Sequence, residues 1–257
     1  MLLECETSGT AVITLDFPPA NAIGAAQIAM LESALVSAAE SGCRVLLVRA
    51  TGRFFCAGAD IGIMQARDAE TQRAERLAGF AQKLQALYGK LEAFPSPTIA
   101  AIDGIATGGG LELALACDFR IAREGAQLGL PETKLGLIPA AGGTQRMVAV
   151  VGRAYAADMI LRGRLVDGAE AWRMGLVHES VSGEANARPA EARARALAEE
   201  LCAQPQAALG EAKRCIAMAG NASGFAAEVE ATRVLHAEPE TIERIAAFLR
   251  RRAKPGS

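Results

Sequence analysis

Histidine, aromatic side chains and paired cysteines are scarce in this chain, and each shortage removes a class of chemistry. Only His178 and His236 occur among 257 residues, so neither a histidine-rich metal centre nor a histidine-activated nucleophile is expected. One Trp, two Tyr and eight Phe accompany a net charge of −2. No basic patch interleaved with aromatics is available for nucleic acid, and nothing pulls the chain toward an anionic membrane. The six cysteines Cys5, Cys43, Cys56, Cys117, Cys202 and Cys215 never fall in C-x-x-C spacing. That pattern argues for reduced, mostly buried thiols in a cytoplasmic protein and against a zinc site or a disulfide framework. Met1-Leu2-Leu3-Glu4 lacks a basic region and an apolar core, so no signal peptide is expected. No apolar run is long enough to span a bilayer. Carboxylates and backbone amides are what remain for chemistry.

What the chain has in abundance is small and aliphatic. Hydrophobic residues make up 51% but aromatics only 4%, so the core is built from Ala, Leu, Ile and Val. The length fits one large domain, or one domain with a small appendage. Thr10–Asp16 reads as a strand stopped by Pro18 and Pro19. Ala25–Glu40 is spaced as a helix with Ile28, Leu31, Leu35 and Ala39 on one stripe. A strand is predicted over 44–49, then a turn of small residues over 54–61 in which Asp60 is placed to cap a helix. A polar amphipathic helix spans about 71–94 and ends at Pro95 and Pro97. Strands come next at 98–103, 118–122 and 127–130. Helices are predicted from 143 through Val151, over 154–162 and 167–174, and almost throughout after the polar connection 182–189. Strand–helix alternation thus occupies two-thirds of the chain, before an all-helical end.

The element that organises this alternation is Ile105–Asp118, in which Gly108, Gly109 and Gly110 lead into a helix carrying Glu112 in its first turn. Glycine permits backbone conformations and close approaches closed to other residues. A helix start leaves amide N–H groups unpaired and partly positive. The stretch can therefore offer donors to an oxygen that becomes negative, with an acid beside them. A tight turn with a solvated glutamate is the plainer reading of the same residues. Two further glycine turns lie at 56–60 and 142–143, and a second carboxylate, Glu132, precedes the last of them.

Taken together, Cys56-Ala57-Gly58-Ala59-Asp60-Ile61, Gly108-Gly109-Gly110-Leu111-Glu112-Leu113, Leu130-Pro131-Glu132, Leu135–Pro139 and Gly142-Gly143-Thr144-Gln145-Arg146 resemble the enoyl-CoA hydratase/isomerase (crotonase) superfamily. Gly163-Arg164, Ala169-Glu170-Ala171 and Gly175-Leu176-Val177 continue the likeness, which runs from about Val12 to Pro255. The resemblance implies an α/β fold of the ClpP/crotonase-like kind: a spiral of ββα units over 1–190 and a C-terminal helical region over 191–257 that assembles a homotrimer or homohexamer. It implies an acyl-CoA thioester as substrate, with no metal, no cofactor beyond the coenzyme A of that substrate, and no nucleic acid or membrane partner. The thioester oxygen would lie between the N–H groups of Ala59 and Gly109, and rigid donors of this kind contribute about 3 kcal/mol each. Glu112 and Glu132 fill both acidic positions, which favours hydration of a trans-2-enoyl-CoA. Glu132 would then donate the α-carbon proton and Glu112 activate water. Isomerisation, dehydration of a specialised acyl-CoA, and an RNA-binding role known for some members are the alternatives.

The resemblance also sets Ala57, Asp60, Ile61, Gly110 and Leu130 against the substrate, Ala57 beside the adenine, and Phe248 and Arg251 toward a neighbouring subunit's coenzyme A. The lysines that relatives carry near the first strand-to-helix turn and after the Gly-Ala-Asp-Ile stretch are missing from 17–21 and 61–63. The basic end at 250–254 reads first as a solvated face. Trp172 has apolar helical neighbours and is expected in the core. His178 reads as a loop residue, His236 as a residue at the last helix junction with a second reading in the acyl pocket, and Cys56 and Cys117 as buried packing. The 71–94 helix and the residues near Met64 are expected to shape an acyl tunnel.

Overall fold

The computed structural model describes residues 2–60, 62 and 70–252. The chain begins with β1 (Leu2–Cys5), β2 (Thr10–Leu15) and α1 (Ala25–Glu40). It then repeats one pattern: β3 (Val45–Ala50), β4 (Phe54–Cys56) and α2 (Glu70–Glu92); β5 (Thr98–Ile102), β6 (Ile105–Thr107) and α3 (Gly109–Leu115); β7 (Phe119–Arg123), β8 (Gln127–Gly129) and, after a 3₁₀ turn at Glu132–Leu135, α4 (Gly143–Leu161). Next come β9 (Leu165–Asp167), α5 (Gly168–Arg173) and β10 (Glu179–Val181). Helices α6 (Pro189–Cys202), α7 (Gln206–Ala217), α8 (Gly224–Ala237) and α9 (Pro239–Arg252) complete the chain.

Each ββα unit gives its first strand to one sheet and its second to another. The larger sheet has the order β1-β2-β3-β5-β7-β10 and the smaller β4-β6-β8-β9. Every β2–β3, β3–β5 and β5–β7 pairing is parallel, as are β4–β6 and β6–β8. Successive units therefore advance by one strand in both sheets at once, which is the expected spiral.

Strand β3 shows how sequence feeds the packing. Its side chains alternate between faces: Leu46 and Val48 enter the main core with Phe55, Leu87 and Leu111, whereas Val45 and Leu47 join Val12, Ile99 and Ile121 on the outer face. That outer face is covered by Ala190, Ala194 and Ala198, one small stripe of α6. Burying each of these aliphatic side chains from a strand is worth about 1.5–3 kcal/mol. The start of α6 is pinned by Asp103, whose carboxylate accepts from the amides of Ala190 and Glu191 at 2.9 and 3.0 Å. Burial raises the Asp103 pKa and the two amides oppose that rise. Helix α6 thus crosses the 190/191 boundary and packs on the sheet. Helix α7 is tied to the core beyond it by Lys213, whose ammonium reaches Asp118 at 2.7 Å.

Several sequence expectations need correction. In α1 it is Ala38, not Ala39, that joins Ile28, Leu31 and Leu35 inside. Trp172 is 57% exposed, because α5 is six residues long and buries only Gly168 and Ala171. Strands β1, β6, β9 and β10 have no counterpart among the sequence expectations, and β4 replaces the first part of the turn expected over 54–61, all being too short for a period-two pattern to show. The two helices expected through Val151 and over 154–162 are found as expected, since α4 breaks between them at Gly152, φ +74°.

The crossing of units depends on two close approaches. A Cβ on Gly104 would stand 2.2 Å from the Arg53 carbonyl oxygen, and one on Gly110 would stand 2.0 Å from that of Cys56. Gly110→Ala is expected to cost at least about 3 kcal/mol, the upper range of overpacking. Chemical denaturation measures this, and a variant as stable as the parent would refute the contact.

Candidate active site

The site begins at the C-terminal ends of β4 and β6, which are parallel neighbours with Cys56 opposite Ala106. Their outgoing loops therefore run side by side. Gly58 takes φ +103° and Gly108 φ +55°, conformations that strain any residue with a side chain. A Cβ on Gly58 would stand 3.1 Å from the Gly109 nitrogen, and one on Gly109 would stand 3.5 Å from the Ala59 nitrogen. The two amides thus sit together. Ile23 bonds the Gly58 carbonyl and the Asp60 amide, passing over the Ala59 amide between them. Gly109 opens α3 and so has no intrahelical acceptor for its N–H. Among the described residues, neither amide donates to another backbone group.

Glu112 lies on α3 one turn below Gly109 and is 2% exposed. Its Oε1 accepts from the amides of Ala141 and Gly143, each at 2.8 Å. These belong to the glycine turn that starts α4, where Gly142 at φ +105° turns both N–H groups inward. Burial is the main influence on Glu112 and pushes its pKa up to about 7. The Gly143 amide opposes it, Glu132 adds to it, and the Ala141 amide and Arg146 oppose it. Glu132 sits in the 3₁₀ turn after Pro131. Its Oε1 lies 3.1 Å from where a Gly108 Cβ would be, and its buried Oε2 has no hydrogen-bond partner among the described residues. Burial raises its pKa as well. Two carboxyl groups that disfavour charge in each other's presence are suited to divide acid and base duties.

Ala59, Gly109, Glu112 and Glu132 all border one cavity of about 390 Å³. Leu77, Ala78, Phe80, Ala81 and Leu84 of α2 form one wall, and Leu137 and Ile138 lie on another. Ala57 also borders it. Asp60 does not, and its Oδ1 accepts from the Gly62 amide at 2.8 Å. Gly110 and Leu130 are buried behind the wall instead of on it, Gly110 against Cys56 and Leu130 in the main core. Phe248 stands on α9, 58% exposed and outside the cavity lining. Ile61, Met64 and the side chain of Arg251 lie outside the described residues. His236 sits on α8 with its Nδ1 2.8 Å from the Thr232 carbonyl oxygen and does not border the cavity. His178 is in a loop, its Nδ1 accepting from the Arg120 amide at 3.2 Å. Cys56 and Cys117 are buried, and their burial pushes both thiols up to about 12. A larger cavity, about 610 Å³, lies between α7 and α8 and shares no lining residue with the first.

Three side chains that the sequence did not single out hold this arrangement. Buried Tyr88 donates to the Gly109 carbonyl at 2.7 Å, Gln85 donates to the Ala140 carbonyl at 2.7 Å, and Arg146 donates to the Ala141 carbonyl at 3.0 Å. The available signal was weak: Tyr88 is one of two tyrosines, and Arg146 ends the Gly-Gly-Thr-Gln-Arg stretch.

The raised Glu112 pKa links the site to stability. Between its ordinary value of 4.5 and about 7, the folded chain keeps a proton that the unfolded chain has released. Stability contributed by the protonated group is complete below 4.5 and falls as pH rises to about 7. Glu112→Gln removes this slope, so its melting temperature is expected to gain on the parent between about pH 4.5 and about pH 8. Thermal melts at both pH values measure it, and an unchanged difference would refute the buried charge.

The geometry can be set beside known proteins. The sequence model of the enoyl-CoA hydratase/isomerase family matches residues 6–254. Enoyl-CoA hydratase domain-containing protein 2, mitochondrial, of Mus musculus is 40% identical over 95% of this chain and 83% of its own length. The Bos taurus protein of the same name is 43% identical over 81% of this chain and 70% of its own. A crystal structure of enoyl-CoA hydratase from Bacillus anthracis superposes with a TM-score of 0.87 at 33% identity, covering 97% of this chain and 96% of that one. The expected cytoplasmic location is overturned by the two relatives named as mitochondrial. Unpaired cysteines separate reducing from oxidising compartments and do not distinguish one reducing compartment from another. Family match over nearly the whole length, spiral fold and full-length structural likeness agree, and the chain belongs to the enoyl-CoA hydratase/isomerase family.

Proposed function

We propose that the protein adds water across the double bond of a trans-2-enoyl-CoA, giving a 3-hydroxyacyl-CoA. The observation that carries this reading is the pair of glutamates, buried Glu112 and half-buried Glu132, on one cavity that the adjacent Ala59 and Gly109 also border. Double-bond migration needs one group to carry a proton between carbons, whereas hydration needs a base for water and an acid for carbon.

In this mechanism the thioester oxygen accepts from the Ala59 and Gly109 amides, which makes the β-carbon electrophilic. Ionised Glu112, anchored through Oε1, takes a proton from water as the water oxygen bonds to the β-carbon. The electron pair of the double bond moves to the thioester oxygen as an enolate, stabilised by the two donors and the start of α3. Protonated Glu132 then delivers its proton to the α-carbon and the carbonyl re-forms. One O–H bond of water, the Glu132 O–H bond and the carbon–carbon π bond break, one C–O and one C–H bond and a Glu112 O–H bond form, and proton exchange from Glu112 to Glu132, directly or through solvent, restores both groups. The chain works without a metal or a cofactor beyond the substrate's own coenzyme A. Exposed Ile216, Phe225 and Val229 on α7 and α8 support assembly into a homotrimer or homohexamer through the C-terminal helices.

Loss of the conjugated enoyl-thioester absorbance, monitored on 2-enoyl-CoAs of increasing chain length, tests this. Glu112→Gln and Glu132→Gln are each expected to lower kcat by at least about 100-fold, with KM changed only a few-fold. Near-parent turnover in either variant would remove that residue from the mechanism.

A further inference from the structure

Helix α2 does two things with two parts of its surface. Its Leu77, Ala78, Ala81 and Leu84 border the cavity, while Gln85, Tyr88 and Glu92, spaced three and four residues apart, form a polar stripe toward the site backbone. Each member of that stripe ends on a different part of the catalytic scaffold. Tyr88, fully buried, donates to the carbonyl of Gly109. Gln85 donates to the carbonyl of Ala140. Glu92 receives Nε and Nη2 of Arg146 at 3.2 and 2.8 Å, and Nη1 of the same guanidinium donates to the Ala141 carbonyl at 3.0 Å. The planar fork of arginine suits this double duty, and the point charge of lysine does not.

The geometry points to Arg146 and Tyr88 as positioning residues: Arg146, anchored on Glu92, sets the turn whose amides grip Glu112, and Tyr88 sets the first turn of α3 that carries the Gly109 donor. One helix therefore holds the base and one oxyanion donor in register with each other. This inference rests on the hydratase reading for its catalytic meaning, but the grip itself is a property of the protein alone.

The charged and titratable groups that face Glu112 are Glu132 from the 3₁₀ turn, Arg146 from α4 and Tyr88 from α2. Removing Arg146 deletes a favourable charge and loosens two amide bonds to the carboxylate, and both changes favour the protonated acid. A residue with only a structural role would lower activity equally at all pH values.

The test is a 13C titration of glutamate-labelled protein, with Glu112 assigned by E112Q, alongside pH profiles of kcat/KM. In R146Q the Glu112 midpoint is expected to rise by about one unit, and the acid limb of kcat/KM to move with it. Activity near pH 7 falls about tenfold and largely recovers near pH 9. R146K, which keeps the charge and loses the fork, is expected to show about half that displacement. Y88F leaves the limb in place, lowers kcat about tenfold and leaves KM unchanged, the signature of an interaction that matters in the transition state. An unmoved Glu112 midpoint in folded R146Q overturns the assignment, and an unmoved midpoint in R146K overturns it equally if R146Q does not fold. Unchanged kcat in Y88F overturns the role of Tyr88. A parent protein whose Glu112 titrates as described but hydrates no 2-enoyl-CoA refutes the functional reading and leaves the grip standing. Active parent enzyme with unmoved midpoints does the reverse.

Discussion

The contact between the Cys56 carbonyl and the bare Cα of Gly110 sets the distance between two successive turns of the spiral. No side chain fits there, so the loop leaving β4 and the helix leaving β6 are pressed together. That pressure is what brings the Ala59 and Gly109 amides alongside one another. It also drives α3 inward far enough to bury Glu112 completely. The paired amides and the buried glutamate are therefore consequences of one packing constraint, and the glycines at 58, 108 and 110 are its local signature.

Burial of Glu112 carries its own tension. A carboxylate removed from water loses solvation that two amide bonds only partly replace. The Glu132 carboxyl adds repulsion, and its orphaned Oε2 is itself an unmet demand for a donor. Such groups persist in folded proteins where function maintains them. The rest of the molecule supplies the compensation: two aliphatic cores, the Asp103 grip on α6 and the capping of α3 by Arg120. That buried guanidinium donates to the Ala114 and Cys117 carbonyls at 3.4 and 2.6 Å, meeting groups that the end of a short helix leaves unpaired, and its Nε donates to the Leu176 carbonyl at 2.9 Å.

Much of this was legible in the residues. Periodicity located α1 to the residue at both ends and α2 within two, because long amphipathic stretches record which side faces inward. The three glycine turns announced themselves as motifs, and family likeness joined Ala59, Gly109, Glu112 and Glu132. Three-residue strands such as β9 leave no period to read. Trp172 misled because apolar neighbours on a helix as short as α5 do not define a buried side. Long-range hydrogen bonds were the deepest gap. Nothing in the local sequence says that Ala141 and Gly143 face Glu112, or that Tyr88 reaches across to α3, since such pairings depend on how distant elements stack. Location was misread for a chemical reason, as thiols report redox state and not address.

The placement of α2 separates two kinds of inheritance. Glu112 stands on α3, and Glu132 and Ala59 on short segments that follow β8 and β4, whereas much of the cavity wall belongs to a helix that joins one spiral unit to the next. Side chains such as Ala78 and Ala81 can change in volume while the strand pairing beneath them stays the same. The glutamates and the shape of the cavity they border can therefore drift independently, and a lineage built on this scaffold can reshape that cavity without rebuilding the turns that hold Glu112.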